Sequence, residues 1–184
     1  TGVLLVLRQP PAAPPAAAGQ PPVIAGDPAE GLEVLLALAD DGRATALAGH
    51  VDLGTGLATA YAQIVAEELD LALAQVDVVL GDTARAPIQG PTIASTSIQR
   101  HAQPLRQAAA TARAWLLAQA AGQWSLAMDA LHTAAGEVIA ADGRRVTYAA
   151  LLASRHVDLM LDEAVAPKPE ADYTVVGQSV PRGD

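Results

Sequence analysis

The chain has 184 residues, a hydrophobic content of 51% and a formal net charge of -9 at pH 7. This acidic balance excludes nucleic acid as an expected partner, because binding to a phosphate backbone needs clustered Lys and Arg. Cys is absent, which excludes a disulfide framework, a thiolate zinc site and any iron–sulfur cluster ligated by this chain. Apolar runs are also shorter than the roughly 20 residues of a transmembrane helix, so we expect a cytoplasmic protein.

The first 30 residues are rich in proline and alanine, a composition that favours extended polyproline conformation. Such a segment cannot fill a core. Residues 1–30 are therefore predicted to form either a linker or an extended arm that lies over a partner. Only 3% of the residues are aromatic and Phe is absent. The core of the remaining chain must therefore depend on close packing of alanine-rich helices.

From residue 31 the spacing of apolar residues predicts an α+β domain that extends to residue 166. A β-hairpin is predicted over residues 31–49, with its turn at Asp40-Asp41-Gly42, and a short strand is predicted over residues 76–80. A helix is predicted from just after Gly56, followed by a loop over residues 81–96 and a second, longer helix. Its apolar face comprises Ile98, Ala102, Leu105, Ala109, Ala112 and Leu116.

Three features complete the predicted architecture. Pro104 should kink the long helix or end a first short segment of it, because proline lacks an N–H donor. A second hairpin is predicted around Asp142-Gly143 and a short helix over residues 148–152. Residues 167–184 are rich in proline and charge and predict an extended tail. The expected fold is thus α+β, with β-hairpins and a short strand packed against two main helices.

The first candidate binding segment is the turn Gly54-Thr55-Gly56, which follows a strand and precedes the first helix. Glycines allow a ligand to approach the backbone closely, and free N–H groups at a helix start attract anions or polar ring edges. The same pattern is also common in turns that have only a structural role.

The second candidate segment contains three hydroxyl residues, Ser95, Thr96 and Ser97, directly before the long helix. One such residue suffices to cap a helix. Three hydroxyls beside helix-start amides could instead bind a phosphate or diphosphate without many positive side chains. Arg100 lies one turn further along and is the best placed arginine for such a ligand.

Other charged residues are interpreted as surface groups. Arg106 and Arg113 follow the surface spacing of the long helix, and Glu67-Glu68 lie on the predicted exposed face of the first helix. The four histidines show neither an H-x-x-x-H pair nor a neighbouring ligand set, so no protein-ligated metal is predicted.

Three segments together resemble the molybdopterin-binding subunit of the xanthine dehydrogenase/aldehyde oxidase-type molybdenum hydroxylases. They are GHVDLGTGLATAYAQIVAEELD, VDVVLGDTARAPIQGPTIASTSIQRHAQPLRQAAATAR and DYTVVGQSVPRGD. The resemblance covers about residues 31–184 and is strongest to the branch containing isoquinoline 1-oxidoreductase and the cytochrome-linked nicotinate dehydrogenases. That branch carries these segments at its N-terminus and the whole subunit is several times longer. The resemblance therefore implies an N-terminal fragment, with no catalytic residue assigned within it.

The resemblance also implies a division of roles. Gly54, Thr55 and Gly56 would contact the pterin, whereas Ser95, Thr96 and Ser97, with Gln99 and Arg100, would hold the phosphates of a molybdopterin cytosine dinucleotide. The family usually has Gly-Gln-Gly in the first turn, and Thr55 is shorter than that glutamine. The second turn also departs from the family, which often has smaller residues, including glycine, where this chain has Ile93-Ala94.

The implied reaction is hydroxylation of an N-heteroaromatic substrate of nicotinate type with oxygen from water. The implied partners are a larger molybdenum-binding chain, a separate subunit with [2Fe-2S] clusters, and a cytochrome c with its haem, which would also allow association with the inner membrane. An alternative from composition alone is a non-catalytic acidic α+β module for assembly or scaffolding, in which both turns act only as caps. Molybdenum and a cytidine nucleotide in the purified complex would distinguish the two hypotheses.

Overall fold

The computed structural model describes residues 3–9, 33–153 and 155–182 of the chain. Eight strands and three α-helices follow one another in these ranges, together with a π-helical turn, Ser97–His101, before the longest helix. The strands are β1 (Val3–Gln9), β2 (Glu33–Ala39), β3 (Ala44–Ala48), β4 (Val76–Leu80), β5 (Leu131–Ala134), β6 (Glu137–Ala140), β7 (Arg145–Thr147) and β8 (Val157–Met160). The helices are α1 (Leu57–Leu69), α2 (Ala102–Trp124) and α3 (Tyr148–Leu152).

The main sheet has five strands in the order β4-β3-β2-β1-β8. Strands β2 and β3 form the predicted antiparallel hairpin, and Gly42 takes a φ of +80° in its turn. Strand β4 pairs in parallel with β3 after the chain has crossed over through α1. This crossover places the start of α1 at the end of β3, where the first candidate turn lies. The predicted α+β fold, with its hairpins, short strand and two main helices, is confirmed.

The sheet also includes two strands that the sequence analysis missed. Strand β1 lies within the segment predicted as an arm and pairs antiparallel with β2, whereas β8 pairs in parallel with β1. The rest of the predicted arm, from residue 10 to residue 30, lies outside the described residues. The assignment of residues 3–9 to an arm is therefore corrected, while the other domain boundaries stay predictions. Strand β1 was not predicted because the composition after residue 9 is rich in proline and because its partner strand, β8, is about 150 residues away in the sequence.

Leucines from the sheet and alanines from the helices form the core. Helix α1 packs against β3 and β4, and α2 packs against β1 and β2. The residues of α2 that face the sheet are small, so the helix axis can approach the strands closely and dispersion contacts replace large side chains. Fully buried members of this core include Leu5, Leu7, Leu36, Leu38, Ala108, Ala109 and Ala112.

The long helix starts with a π-helical turn, and Pro104 explains this local geometry. Pro104 lies in the first turn of α2 and cannot donate to the carbonyl four residues earlier. A π-helical turn, with its wider spacing between donor and acceptor, accommodates the missing donor. The structure thus has a short first segment, Ser97–His101, which is π-helical, but Pro104 lies inside the α-helix that follows and does not end that segment.

A smaller sheet of three antiparallel strands, β5-β6-β7, packs beside α2. Gly143 turns between β6 and β7 with a φ of +88°, as predicted. The preceding turn, at Ala135-Gly136, was not predicted, although both residues have positive φ and join β5 to β6. Helix α3 starts where predicted, and the Thr147 hydroxyl caps it by accepting from the Ala150 N–H at 3.1 Å.

Within the described residues, no helix combines the length and the apolar composition needed to cross a lipid bilayer.

Candidate functional site

The glycine turn before α1 is organised by the carboxylate of Asp52. One carboxylate oxygen accepts from the Thr55 N–H at 2.8 Å, the Thr55 hydroxyl at 3.1 Å and the Gly56 N–H at 3.2 Å. The other accepts from the Ala58 N–H at 3.2 Å. Burial by itself raises the pKa of Asp52, but the hydrogen bonds from Ala58 and Thr55 outweigh it and lower the pKa to about 2. Asp52 thus acts as the anionic cap of the helix.

This cap corrects one part of the sequence argument. The amides of Thr55 and Gly56 are not free for a ligand, because Asp52 already accepts from both. The Thr55 hydroxyl is engaged in the same way. Gly54 is different: its φ is +83°, and a Cβ added there would meet no atom within 4 Å. The backbone of Gly54 is therefore the part of this turn that a ligand can approach.

The serine turn has an unusual backbone. Ala94 and Ser95 have φ values of +54° and +57°, a region that non-glycine residues adopt at a cost of about 1–2 kcal/mol each. Thr96 stabilises the turn, because its N–H and its hydroxyl both donate to the Ile93 carbonyl, at 3.2 and 2.9 Å. A glycine would adopt this conformation without strain, so an alanine at position 94 makes the turn more costly.

The three hydroxyl residues of this turn have different environments. Ser97 is buried, Thr96 is half-buried and Ser95 is exposed. Gln99 and Arg100 are exposed as well. Among the described residues, neither the Ser95 hydroxyl nor the Arg100 guanidinium has a hydrogen-bond or ion-pair partner. These two groups are thus accessible to an anionic ligand, whereas Thr96 bonds within the turn.

The glycine turn and the serine turn belong to segments that lie side by side. The Val51 N–H donates to Thr92 Oγ1 at 3.1 Å, and the Thr92 hydroxyl donates to the Val51 carbonyl at 2.9 Å. Gly49 is packed so closely against the same loop that a Cβ there would lie 2.0 Å from the Pro87 carbonyl oxygen. The structure therefore brings the two predicted segments together, as a single elongated ligand would require.

Tyr61 forms a second connection between the two turns. This residue lies on α1, is fully buried, and donates its hydroxyl to the Ser97 carbonyl at 2.9 Å. Burial raises the pKa of Tyr61 to about 12, so the hydroxyl remains protonated and keeps donating at physiological pH. The helix that begins at the glycine turn thereby fixes the position of the serine turn.

Two histidines meet next to these segments, His50, which is buried, and His101, which is half-buried. The rings of His50 and His101 meet edge to face with centroids 4.5 Å apart. His50 is 1% exposed, and neither ring nitrogen makes a hydrogen bond of good geometry among the described residues, although a backbone contact with Gly90 opposes part of the effect of burial on its pKa. Burial, and to a smaller extent His101, lowers the pKa of His50, and burial also lowers the pKa of His101. Both imidazoles are therefore neutral at pH 7.

This arrangement predicts acid sensitivity. Because the folded-state pKa of both histidines lies below the ordinary value of 6.5, their neutral burial stabilises the fold fully above that pH. The contribution is lost as the pH falls through the lower, folded-state pKa. Replacing His50 by Phe should thus reduce the decrease in unfolding free energy between pH 8 and pH 5, measured by chemical denaturation. The matched control is His132→Phe, since His132 is exposed; an equal reduction in both variants would contradict the prediction.

The segment after β8 is bound to the helices through two buried glutamates. Glu67 and Glu68 are 2% and 1% exposed, which corrects their interpretation as surface charges. Glu68 pairs with Arg106 at 2.9 Å and with Arg113 at 3.3 Å and accepts from the Lys168 N–H at 3.0 Å. The two arginines predicted as solvated are therefore half-buried ion-pair partners.

Glu67 holds the part of the predicted tail that we call the strap, residues 173–182. Its carboxylate accepts from the N–H groups of Thr174, Val175 and Val176 at 2.9, 2.6 and 2.8 Å. Burial alone raises the pKa of the Glu67 carboxyl, but the hydrogen bonds from these amides outweigh it and, with the Lys168 charge, hold the pKa below its ordinary value. The carboxylate is thus ionised and bound at neutral pH.

The strap then runs along α1 toward the glycine turn. Gln63, one turn before Glu67, donates to the carbonyls of Val175 and Gln178, each at 3.0 Å. At the start of the helix, a Cβ on Gly56 would lie 3.8 Å from Arg182 Nε. The third segment of the family resemblance therefore reaches the first one because buried side chains of α1 direct it there.

Comparison with known proteins establishes the family. The family described as "Molybdopterin cofactor-binding domain" matches residues 15–179. This chain belongs to that family. It is 47% identical over its full length to one of the subunits of nicotinate dehydrogenase from Pseudomonas putida, of which it covers 15%. It is also 34% identical, over 76% of its length, to the beta subunit of isoquinoline 1-oxidoreductase from Brevundimonas diminuta, of which it covers 20%.

A solved structure supports the fold. A Cu,Mo-CO dehydrogenase in its carbon monoxide reduced state superposes with a TM-score of 0.57 and 24% identity, over 63% of this chain and 15% of that one. The molybdopterin cofactor-binding assignment confirms the resemblance found in the sequence and favours it over the scaffold hypothesis. The chain spans about a seventh of the length of the nicotinate dehydrogenase subunit. Among the described residues, no three His, Asp or Glu side chains come together as metal ligands.

Proposed function

We propose that this chain forms part of the cofactor site of a molybdenum hydroxylase that acts on an N-heteroaromatic substrate of nicotinate type. The observation that carries the proposal is the 47% identity to a nicotinate dehydrogenase subunit along the whole chain. The second relative, named for isoquinoline, supports the same class of nitrogen-containing aromatic ring. Both relatives are named as subunits, which supports action within a complex.

The accessible groups of the two turns fit a molybdopterin cytosine dinucleotide. The open backbone at Gly54 allows a flat pterin edge to approach closely. The exposed Ser95, Gln99 and Arg100, together with the buried Ser97 at the base of the turn, would hold the diphosphate by donating hydrogen bonds and one positive charge. Thr55, Gly56 and Thr96 support the turns from within, because their polar groups already have partners.

When bound, the cofactor supplies the oxidative chemistry at the substrate carbon, and the protein supplies binding and orientation. The chain contains no Cys and so ligates no cluster itself; in this proposal the electrons leave through [2Fe-2S] clusters on a separate subunit, with a cytochrome c and its haem as the next acceptor. A larger molybdenum-binding chain would contribute the remaining cofactor and substrate contacts. The complex would be cytoplasmic, or would be held at the inner membrane through one of these partners.

If Ser95 and Ser97 bind the phosphates of the cofactor, the Ser95→Ala/Ser97→Ala variant should retain less cofactor. Each hydrogen bond to a charged oxygen contributes roughly 1.5–3 kcal/mol, so losing two should weaken cofactor binding by at least about a hundredfold. Molybdenum and cytidine nucleotide are measured per mole of purified complex. Arg100→Gln should also lower both, whereas Arg155→Gln, an exposed arginine that binds Gln119, should not. Unchanged cofactor content in the folded serine variant would contradict the phosphate-binding role of these two residues.

In the proposed hydroxylation, the oxygen atom added to the substrate comes from water. Turnover of the purified complex with nicotinate in oxygen-18 water, with an artificial electron acceptor, should place the heavy isotope in the hydroxylated product over successive cycles. Incorporation from O₂ instead, or full activity in a complex without molybdenum, would contradict the proposed function. Failure with nicotinate alone, with turnover of another N-heteroaromatic ring, would change only the substrate.

A further inference from the structure

The loop that leads into the serine turn is fixed by side chains rather than by strand pairing. Pro87 and Pro91 have no N–H group to donate, so residues 87–91 are poorly suited to a β-ladder. The side chain of Gln89 takes over this role and accepts from the Gly49 N–H at 3.0 Å. The loop is therefore held against the segment that joins β3 to α1.

The serine turn itself is held at both of its ends. At its start, the Thr92 hydroxyl donates to the Val51 carbonyl at 2.9 Å and accepts from the Val51 N–H at 3.1 Å. At its end, the Tyr61 hydroxyl donates to the Ser97 carbonyl at 2.9 Å. We call Thr92 and Tyr61 the anchors of the turn. Both anchors connect it to the part of the chain that contains the glycine turn, because Val51 precedes that turn and Tyr61 lies on the helix that follows it.

The backbone between the anchors has a conformation that is unfavourable for its residues. Ala94 and Ser95 have φ values of +54° and +57°, and in this left-handed region the Cβ atom lies too close to the following carbonyl oxygen. The two bonds from Thr96 to the Ile93 carbonyl lie within the turn and do not connect it to the rest of the protein. The left-handed pair thus depends on contacts outside the turn, and the anchors supply them.

We infer that Thr92 is a positioning residue for the cofactor: together with Tyr61 it holds the strained serine turn in the conformation that presents Ser95 to the phosphates. This inference rests on the proposed function and adds to it a residue that acts indirectly. The Thr92 hydroxyl donates to Val51 and therefore acts through the backbone rather than on the phosphates. A ligand that binds one conformation of a turn loses apparent affinity in proportion to the molecules that lack that conformation.

Thr92→Val tests the inference in the assembled complex, because valine has nearly the shape of threonine and lacks the hydroxyl. Thr92 is half-buried and Val51 is exposed, so water can replace the lost bonds and the fold should persist. The rate at which molybdenum and cytidine nucleotide are lost during dialysis should rise about tenfold. Two controls should stay within about twofold of the unaltered complex: Thr92→Ser, which retains the hydroxyl, and Thr83→Val, which removes an exposed hydroxyl from the same loop.

A second substitution distinguishes positioning from a general weakening of the site. Ala94→Gly removes the Cβ atom that makes the left-handed conformation costly, so the turn should depend less on its anchors. Combined with Ala94→Gly, the Thr92→Val substitution should therefore accelerate cofactor loss by less than about threefold. Equal acceleration with and without Ala94→Gly would overturn the inference, because Thr92 would then act independently of the strained turn.

Hydrogen exchange gives a readout that does not depend on the cofactor. In Thr92→Val, the protection factor of the Thr96 amide should fall about tenfold relative to Thr92→Ser, while the amides of β3 keep theirs. This loss of protection in a complex without molybdenum and cytidine nucleotide would support the anchoring and contradict the proposed function. A Thr92→Val complex that contains both and loses neither cofactor nor Thr96 protection would overturn the inference and leave the proposed function intact.

Discussion

Replacing Glu68 by alanine should lower the unfolding free energy by about 3–5 kcal/mol, because it leaves charges without their buried partner. The Glu68 side chain is 1% exposed and lies between Arg106 and Arg113. Its carboxylate also accepts from the Lys168 N–H. Without it, Arg113 in particular would keep its charge in a largely buried position, 13% exposed.

Chemical denaturation of the folded chain measures this effect. The matched control is Glu137→Ala, which removes a surface ion pair with Arg145 at 3.4 Å and should cost less than about 1 kcal/mol. Glu68→Gln preserves the shape and one acceptor and should give an intermediate loss. A loss for Glu68→Ala no larger than that of the surface control would show that Glu68 has no structural role.

Replacing Glu67 by alanine should release the strap from α1 and lower the unfolding free energy by about 3 kcal/mol, the value of one or two hydrogen bonds to a charged group. The amides of Thr174, Val175 and Val176 all donate to this one carboxylate. Much of the strap is exposed enough for water to replace the lost acceptor, which limits the cost. Hydrogen exchange at these three amides should accelerate more than exchange in the sheet.

The pH dependence of the strap follows from the same contacts. Because the folded-state pKa of Glu67 is below its ordinary value of 4.5, its contribution is complete above that pH and is lost as the pH falls through the folded-state pKa. The protection factors of the strap amides, which divide out the intrinsic pH dependence of exchange, should therefore fall in acid in the unaltered protein and lose this pH dependence in Glu67→Ala. The exposed carboxylate Glu163 provides the control substitution. Unchanged exchange at residues 174–176 in Glu67→Ala would contradict the role assigned to Glu67.

Features that depend on neighbouring residues could be predicted from the sequence. Hairpin turns at Gly42 and Gly143, the start of α1 after Gly56 and the limits of β4 all follow from apolar spacing and turn chemistry within a few residues. The cap at Asp52 belongs to this group as well. An aspartate shortly before a glycine turn and a helix is a local capping signal that could have been recognised.

The resemblance to a known family was also contained in the sequence, because it depends on the order of three segments. It identified the two candidate turns, and the family match confirmed that the chain belongs to the molybdopterin cofactor-binding family. The assignment of individual contacts at Gly54, Ser95 and Arg100 stays a prediction. The sequence suggested free amides at Thr55 and Gly56, whereas the structure shows that Asp52 already accepts from them.

Only the tertiary structure decided the features that join distant residues. Glu68 and Lys168 are 100 residues apart, and Glu67 and Val176 are 109 apart. No periodicity links such positions, and a glutamate on a helix is interpreted as solvated unless its partner is known. The pairing of β1 with β8 depends in the same way on distant segments that meet in the folded sheet. Local spacing thus determined the helices and the hairpin turns at Gly42 and Gly143, while the pairing of distant strands and the burial of paired charges determined the edge of the main sheet and the path of the last segment to the site.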